Sequence, residues 1–250
     1  MTRFNRVWVR QLLALAIALA LWEAAGRAGW LNPLYAPPPS RIGGALVELF
    51  ADGAIWPHLE ATFSAALGGL ALGIVVGVVL GAAAALVPLV AELLEPVMML
   101  LNAVPRVVLG PLFVIWLGIG IASKVALAFV LVAVLVFFTV YTGIKQVDRR
   151  LVERVRTLGG GRWAILREVY LPFVAAWIMG NLKVAVGFAF TGAVVGESVG
   201  ASRGLGYLLS FAQSTYNASL MLALVLLIMA FVLLIFGIAG RLEKRLLRWR

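Results

Sequence analysis

What constrains this chain most is its series of long apolar stretches parted by short basic blocks. Apolar runs fall at about 9–28, 61–86, 106–117, 124–144, 174–195 and 218–239, and most reach the roughly 20 residues a helix needs to cross hydrocarbon. They do not alternate residue by residue, as a membrane strand must. A chain in lipid satisfies its backbone amides internally, so these runs read as helices. The expectation is an all-α, polytopic membrane protein of six transmembrane helices. Composition agrees, with 63% hydrophobic and 13% charged residues, against about 25% charged in a soluble domain. The third run is short for a bilayer. It either extends back through Met98 or is broken at Pro105.

The net charge of +10 invites a nucleic-acid reading. The basic residues, however, sit in short blocks bordering the apolar runs, which is the positive-inside pattern of membrane proteins. Arg3, Arg6 and Arg10 precede the stretch Leu12 to Trp22, the tail RLEKRLLRWR follows the last run, and residues 145–172 carry the densest basic block. All three belong on the cytoplasmic side, which six crossings satisfy with both termini inside. Within the first run, the uncharged stretch Leu12 to Trp22 is short enough to pass for a signal-peptide core, but Glu23 follows it at once without a small-x-small cleavage site, so an uncleaved helix over about 9–28 is expected. Glu23 reads as an interfacial residue. Pro37, Pro38 and Pro39 force an extended segment, after which Ser40 can cap a short outer helix carrying Ile42, Leu46, Leu49 and Phe50. Two parts follow: residues 1–60, an N-terminal helix with an extracytoplasmic amphipathic segment, and residues 61–250, a core of five spans.

Several chemistries are excluded. The chain has no cysteine and one histidine, His58, so thiol chemistry and a multi-histidine metal site are not expected. No cofactor is expected either. Its only aspartates, Asp52 and Asp148, lie in loops, and His58 lies outside the spans, so intramembrane aspartyl or Ser–His catalysis has no residues to use. The glycine-rich segment 200–207 has no strand before it and no P-loop Lys-Ser/Thr pair, so it is no phosphate cradle. The chain cannot hydrolyse ATP by itself.

The basic block 151–172 has an internal design. Leu151, Val155 and Leu158 share a helical face, as do Leu166, Val169 and Tyr170. Gly159, Gly160 and Gly161 stand between them, each costing roughly 1 kcal/mol against Ala inside a helix. The reading is helix, glycine corner, helix, then a stop at Pro172. Gly159 is the corner residue, and its neighbours are expected to be more forgiving. An angled pair on the wet side of a membrane protein is a docking shape for a second protein.

Within the spans, Gly69, Gly73, Gly77 and Gly81 recur every four residues and make a flat face for close helix approach. Packing inside the bundle and packing across a dimer both fit. After Pro88, Glu92 and Glu95 mark a short inner turn. In the fifth run Lys183, Gly187, Phe190, Val194 and Glu197 form one stripe, with Thr191 and Ser198 beside it. Lys183 and Glu197 are about 21 Å apart along the axis and cannot pair. Ionisable residues at such depth mark solute pathways or snorkel to the interface, and both readings stand. Asn102 and Pro105 border the break in the third run and are further pathway candidates.

These features resemble a known family. Glu153, Gly159 six positions on, and Leu171-Pro172 are similar to the EAA loop of bacterial ABC importer permeases, with Arg154 and Val155 where the family carries two alanines. Trp22-Glu23, Asn32-Pro33, the prolines with Ser40, and His58-Leu59 resemble the nitrate/sulfonate/taurine branch. So do Asn102, Pro105, Pro111, Leu112, Phe113, Trp116, Gly118, Gly120, Ser123 and Lys124. Ala65 stands where members often carry a basic residue. The resemblance implies a type I (MetI-like) permease fold in a bacterial inner membrane. It implies a homodimer enclosing a pathway for a small solute, such as a nitrate-, sulfonate- or taurine-like anion or a related small organic molecule. A cytoplasmic ATPase dimer would grip Glu153, Arg154, Val155, Leu158, Gly159, Gly160, Arg162, Leu171 and Pro172. An extracytoplasmic binding protein would deliver the solute. The alternative from another class is a carrier or scaffold that works without an ATPase.

Overall fold

The computed structural model describes residues 2–246, with side chains described over 9–241 except Arg106. The end of the basic tail, including Arg248, lies outside the described residues. Among the described residues, five helices are long and apolar enough to cross a membrane, over Val9–Arg27, Ile55–Leu86, Ile121–Lys145, Arg162–Val199 and Ala218–Arg241. The expected third span is two shorter helices, α4 (Pro88–Ala103) and α5 (Leu109–Leu117), joined through a 3₁₀ turn at Arg106–Val108. The break falls at Val104, whose extended backbone (φ −72°, ψ 134°) is what the residue before a proline prefers.

Helix α6 (Ile121–Lys145) is the hub, with α3 (Ile55–Leu86) and α9 (Leu171–Val199) against it. Lipid tails are as apolar as leucine, so burial in itself does not bring helices together in a membrane; close packing does. The sequence supplies it with glycine. A Cβ at Gly73 would stand 2.6 Å from Val132 Cβ, and one at Gly77 would stand 2.7 Å from Val136 Cβ and 2.8 Å from the Ala133 carbonyl. At Gly81 it would meet the Phe137 carbonyl at 2.7 Å, and at Gly69 it would overlap Ala128. The stripe thus lies inside the bundle, backbone to backbone with α6. Helix α9 does the same on the far side, where a Cβ at Gly192 would stand 2.5 Å from Ala128 Cα. Ala128 is therefore the point where three helices cross. Phe63 stacks edge-on against both Phe190 and Phe231, each at 5.2 Å, tying α3 to α9 and to α11 (Ala218–Leu246).

Three local readings change. Pro88 does not lead into a turn. It sits in the first turn of α4, where its missing N–H costs nothing. Glu92 and Glu95 therefore lie on a helix, and Glu95 pairs with Lys145 at 3.7 Å. Ser40 is not a cap: α2 (Pro39–Ala51) starts with Pro38 at the N-cap. The Ser40 amide and hydroxyl instead donate to the Glu23 carboxylate at 2.9 and 2.7 Å, and Arg27 Nε donates to it at 2.6 Å. The end of α1 (Thr2–Arg27) thus caps α2 from outside, a carboxylate at a helix N-terminus. Pro172 does not stop a helix either. α8 (Arg162–Ile165) passes through a π turn at Leu166–Tyr170 straight into α9. The widened turn accommodates the proline ring and its absent amide.

Candidate functional site

Three regions gather the polar residues and the candidate site residues. The first is the 145–172 loop. Asp148 caps α7 (Arg149–Thr157), accepting from the Arg150 amide at 2.9 Å. At the other end Gly159 has φ +82°, and the bonds Gly159 N–H to Arg156 O and Gly160 N–H to Val155 O, each 2.9 Å, close a Schellman cap. Nothing lies within 4 Å of a Cβ built on Gly159 or Gly161. Gly160 is less forgiving than the sequence reading had it. A Cβ there would stand 2.5 Å from Val155 Cγ1 and 2.8 Å from the Val155 carbonyl, because the two arms of the corner touch at this residue. Glu153, Arg154, Arg162 and Leu171 are exposed, and Val155 is half-buried under the corner. Leu158 and Trp163 are the most exposed apolar side chains of the loop, at 81% and 74%. Pro172 is built into the start of α9.

The second region is a groove of about 540 Å³ between α9 and α11, lined by Lys183, Gly187, Phe190, Thr191, Val232 and Phe236 among others. It gathers four of the pathway candidates. A separate cavity of about 330 Å³ holds Asn102 with Thr139, Thr142, Trp177 and Asn181. Pro105 is exposed at the α4–α5 break.

The third region is at the end of the bundle away from the 145–172 loop. Glu197 is not in the groove with Lys183. It is 2% exposed, and its Oε2 accepts from Thr62 Oγ1 and from the Gly206 amide, both at 2.9 Å. Its Oε1 is buried with no partner among the described residues. Thr62 Oγ1 also accepts from the Leu205 amide at 2.8 Å. The Gly204 amide donates to His58 Nδ1 at 3.0 Å, and the His58 ring stacks on Tyr207. Gly204 has φ +122°, and a Cβ there would lie 2.5 Å from both Glu197 oxygens. Ser198 donates to Val194 O at 2.9 Å and Gly206 O at 3.2 Å. Lys124, 3% exposed, donates to Ile119 O, Gly200 O and Ser123 Oγ. A cavity of about 130 Å³ lies between Lys124, Glu197 and the 201–203 segment. In the sequence Lys124 stands out as a family match, and Thr62 carries no mark of its own. Lys124 carried a signal, since a lone ionisable residue opens an otherwise apolar run.

The family described as binding-protein-dependent transport system inner membrane component matches residues 63–248. The riboflavin transport system permease protein of Chloroflexus aurantiacus is 30% identical, over 95% of this chain and 88% of its own length. The taurine transport system permease protein of Escherichia coli is 31% identical, over 94% and 87%. A putative aliphatic sulfonates transport permease protein of Bacillus subtilis is 30% identical, over 97% and 88%. Among solved structures, a chain of the inward-facing MetNI methionine ABC transporter superposes with a TM-score of 0.61 at 23% identity, covering 77% of this chain and 94% of that one.

Proposed function

Because this chain belongs to the family of binding-protein-dependent transport inner membrane components, we propose that two copies of it enclose the solute pathway of an ATP-driven importer. The chain is a multi-pass ABC importer permease subunit, and ATP hydrolysis belongs to a separate subunit. The observation that supports the fuller reading is the 149–172 corner. The α7 arm ends in a Schellman cap beside the exposed Leu158 and Trp163, and α8 on the other side of the corner runs through the π turn into the spanning helix α9. An apolar knob beside exposed arginines (Arg154, Arg156 and Arg162) suits a cleft on an ATPase subunit, and a continuous helical connection carries its movement into the bilayer. Glu153, Arg154, Val155, Leu158, Gly159, Gly160, Arg162, Leu171 and Pro172 belong to this docking element.

In this arrangement the Arg162 region and both termini face the cytoplasm, while Ser40 and Ser202 face outward, as the basic blocks require. The chain contains no cysteine, so single-cysteine variants report topology cleanly. Ser202→Cys is expected to react with an impermeant thiol reagent on intact cells and Arg162→Cys only after permeabilisation; outside labelling at 162 overturns the orientation. Copurification of an ATP-hydrolysing subunit with the intact chain separates the importer from a carrier that runs without one.

The groove is the best candidate for solute contact. Its walls are apolar, with Lys183 and Thr191 as polar contributors. That lining suits a small solute with an organic body and one anionic or acceptor group, in keeping with relatives named for taurine and aliphatic sulfonates. Lys183→Met is expected to raise the half-saturating concentration for uptake of an anionic solute about tenfold, with copurification of the ATPase unchanged. Unaltered uptake kinetics would remove Lys183 from the pathway.

A further inference from the structure

We propose that Lys124 and Glu197 form a charge-exchange lock on the outer mouth of the pathway: backbone groups and hydroxyls hold the two charges apart while segment 200–204 is closed, and the charges pair when that segment lifts. The proposal rests on the importer reading. Lys124 and Glu197 face one cavity of about 130 Å³ without forming an ion pair. A buried charge must be compensated. In the closed arrangement Lys124 is compensated by carbonyls, one of which, Gly200 O, belongs to the segment itself. Glu197 is compensated by Thr62 and the Gly206 amide, with Oε1 left over.

Lifting the segment carries Gly200 O away and leaves Lys124 one acceptor short. The same movement withdraws Gly204 from its place against the carboxylate. Glu197 keeps Thr62 and Gly206, and its spare oxygen is the acceptor Lys124 lacks. One freed donor and one spare acceptor, both buried, match each other. The segment is made to move. It reads Gly-Ala-Ser-Arg-Gly, has glycine at both ends, and contributes no large apolar side chain to the core, whereas Leu205 next to it is fully buried. Segments held by polar contacts over a fixed anchor are drawn from the low-stability end of a fold.

The test uses the full chain with its ATPase in liposomes. Ala65→Cys, 1% exposed and on the cavity wall, is the reporter. Its reaction with a small charged thiol reagent from outside is expected to accelerate about tenfold when ATP and vanadate trap the transporter. Glu197→Gln retains an acceptor for Thr62 and Gly206 but cannot take a charge partner. It is expected to abolish the acceleration and lower uptake about a hundredfold, with unchanged melting in detergent and unchanged ATPase copurification. Lys124→Met added to Glu197→Gln is expected to cost little more than either change alone, because coupled partners are not additive. Acceleration that persists in Glu197→Gln, effects that multiply, or a reporter that never accelerates while uptake is normal each overturn the lock. A wild-type chain that neither binds an ATPase nor transports defeats the importer reading instead.

Discussion

Gly159→Val is expected to yield a folded, membrane-inserted protein that binds its ATPase weakly and does not transport. Gly159 sits at φ +82°, where a Cβ costs roughly 1–2 kcal/mol and a β-branched side chain more. Space is not the difficulty, since nothing lies within 4 Å of the added Cβ. The strain falls on the cap, whose Gly159–Arg156 and Gly160–Val155 bonds set the angle between the two arms. Losing that cap turns Leu158 and Trp163 relative to Glu153. The corner lies outside the α3–α6–α9 packing, so melting should shift little. Gly161→Ala, in extended backbone with open space, should transport normally. Gly160→Ala should fall between them, because its methyl presses on Val155. ATPase pull-down and uptake measured across the three variants give the ordering. Normal uptake in Gly159→Val would show that coupling does not pass through this corner.

The other large effect is on assembly. Gly77→Leu places four heavy atoms where the first would already stand 2.7 Å from Val136 Cβ and 2.8 Å from a carbonyl of α6. Overpacking a tight contact costs about 1–3 kcal/mol, and here backbone rather than a flexible side chain must give way. Melting on the order of 10 °C lower, or failure to recover monodisperse protein, is the expected outcome. Val79→Leu on the same helix, 60% exposed, should be close to neutral. Equal behaviour of the two variants in a detergent melting series would mean that α3 does not pack against α6 as described.

What could be read from residues alone follows physical lines. Bilayer thickness and backbone desolvation leave few choices for long apolar runs, so the helical membrane fold is legible in the residues themselves. Gly159 was legible because a glycine ending a basic, amphipathic arm has few reasons to be there other than positive φ. The four-residue glycine period announced a flat face but not its partner. Val132 and Val136 on α6 carry no mark of their own. Pro88 and Pro172 misled because proline ends helices and begins them, and only the neighbouring turn geometry decides which. Glu197 was the largest gap. Counting around α9 put it on one stripe with Lys183, but its partners Thr62, Gly206 and Lys124 come from other parts of the chain. A helical wheel contains no information about what stands opposite its far end.

The uninterrupted rod from Arg162 to Val199 has a mechanical consequence. It crosses α6 backbone to backbone where Gly192 meets Ala128, which makes a natural fulcrum. From there the rod extends about 45 Å towards the Gly159 corner and only about 10 Å towards its other end at Val199. A displacement of about 4 Å at the corner end therefore delivers roughly 1 Å at the Val199 end, with the force multiplied in the same ratio. That gearing suits a clasp of buried polar contacts, which yields to a short, strong pull better than to a long, weak one. The π turn at Leu166–Tyr170 lies on the long arm, where some compliance costs travel the lever has to spare.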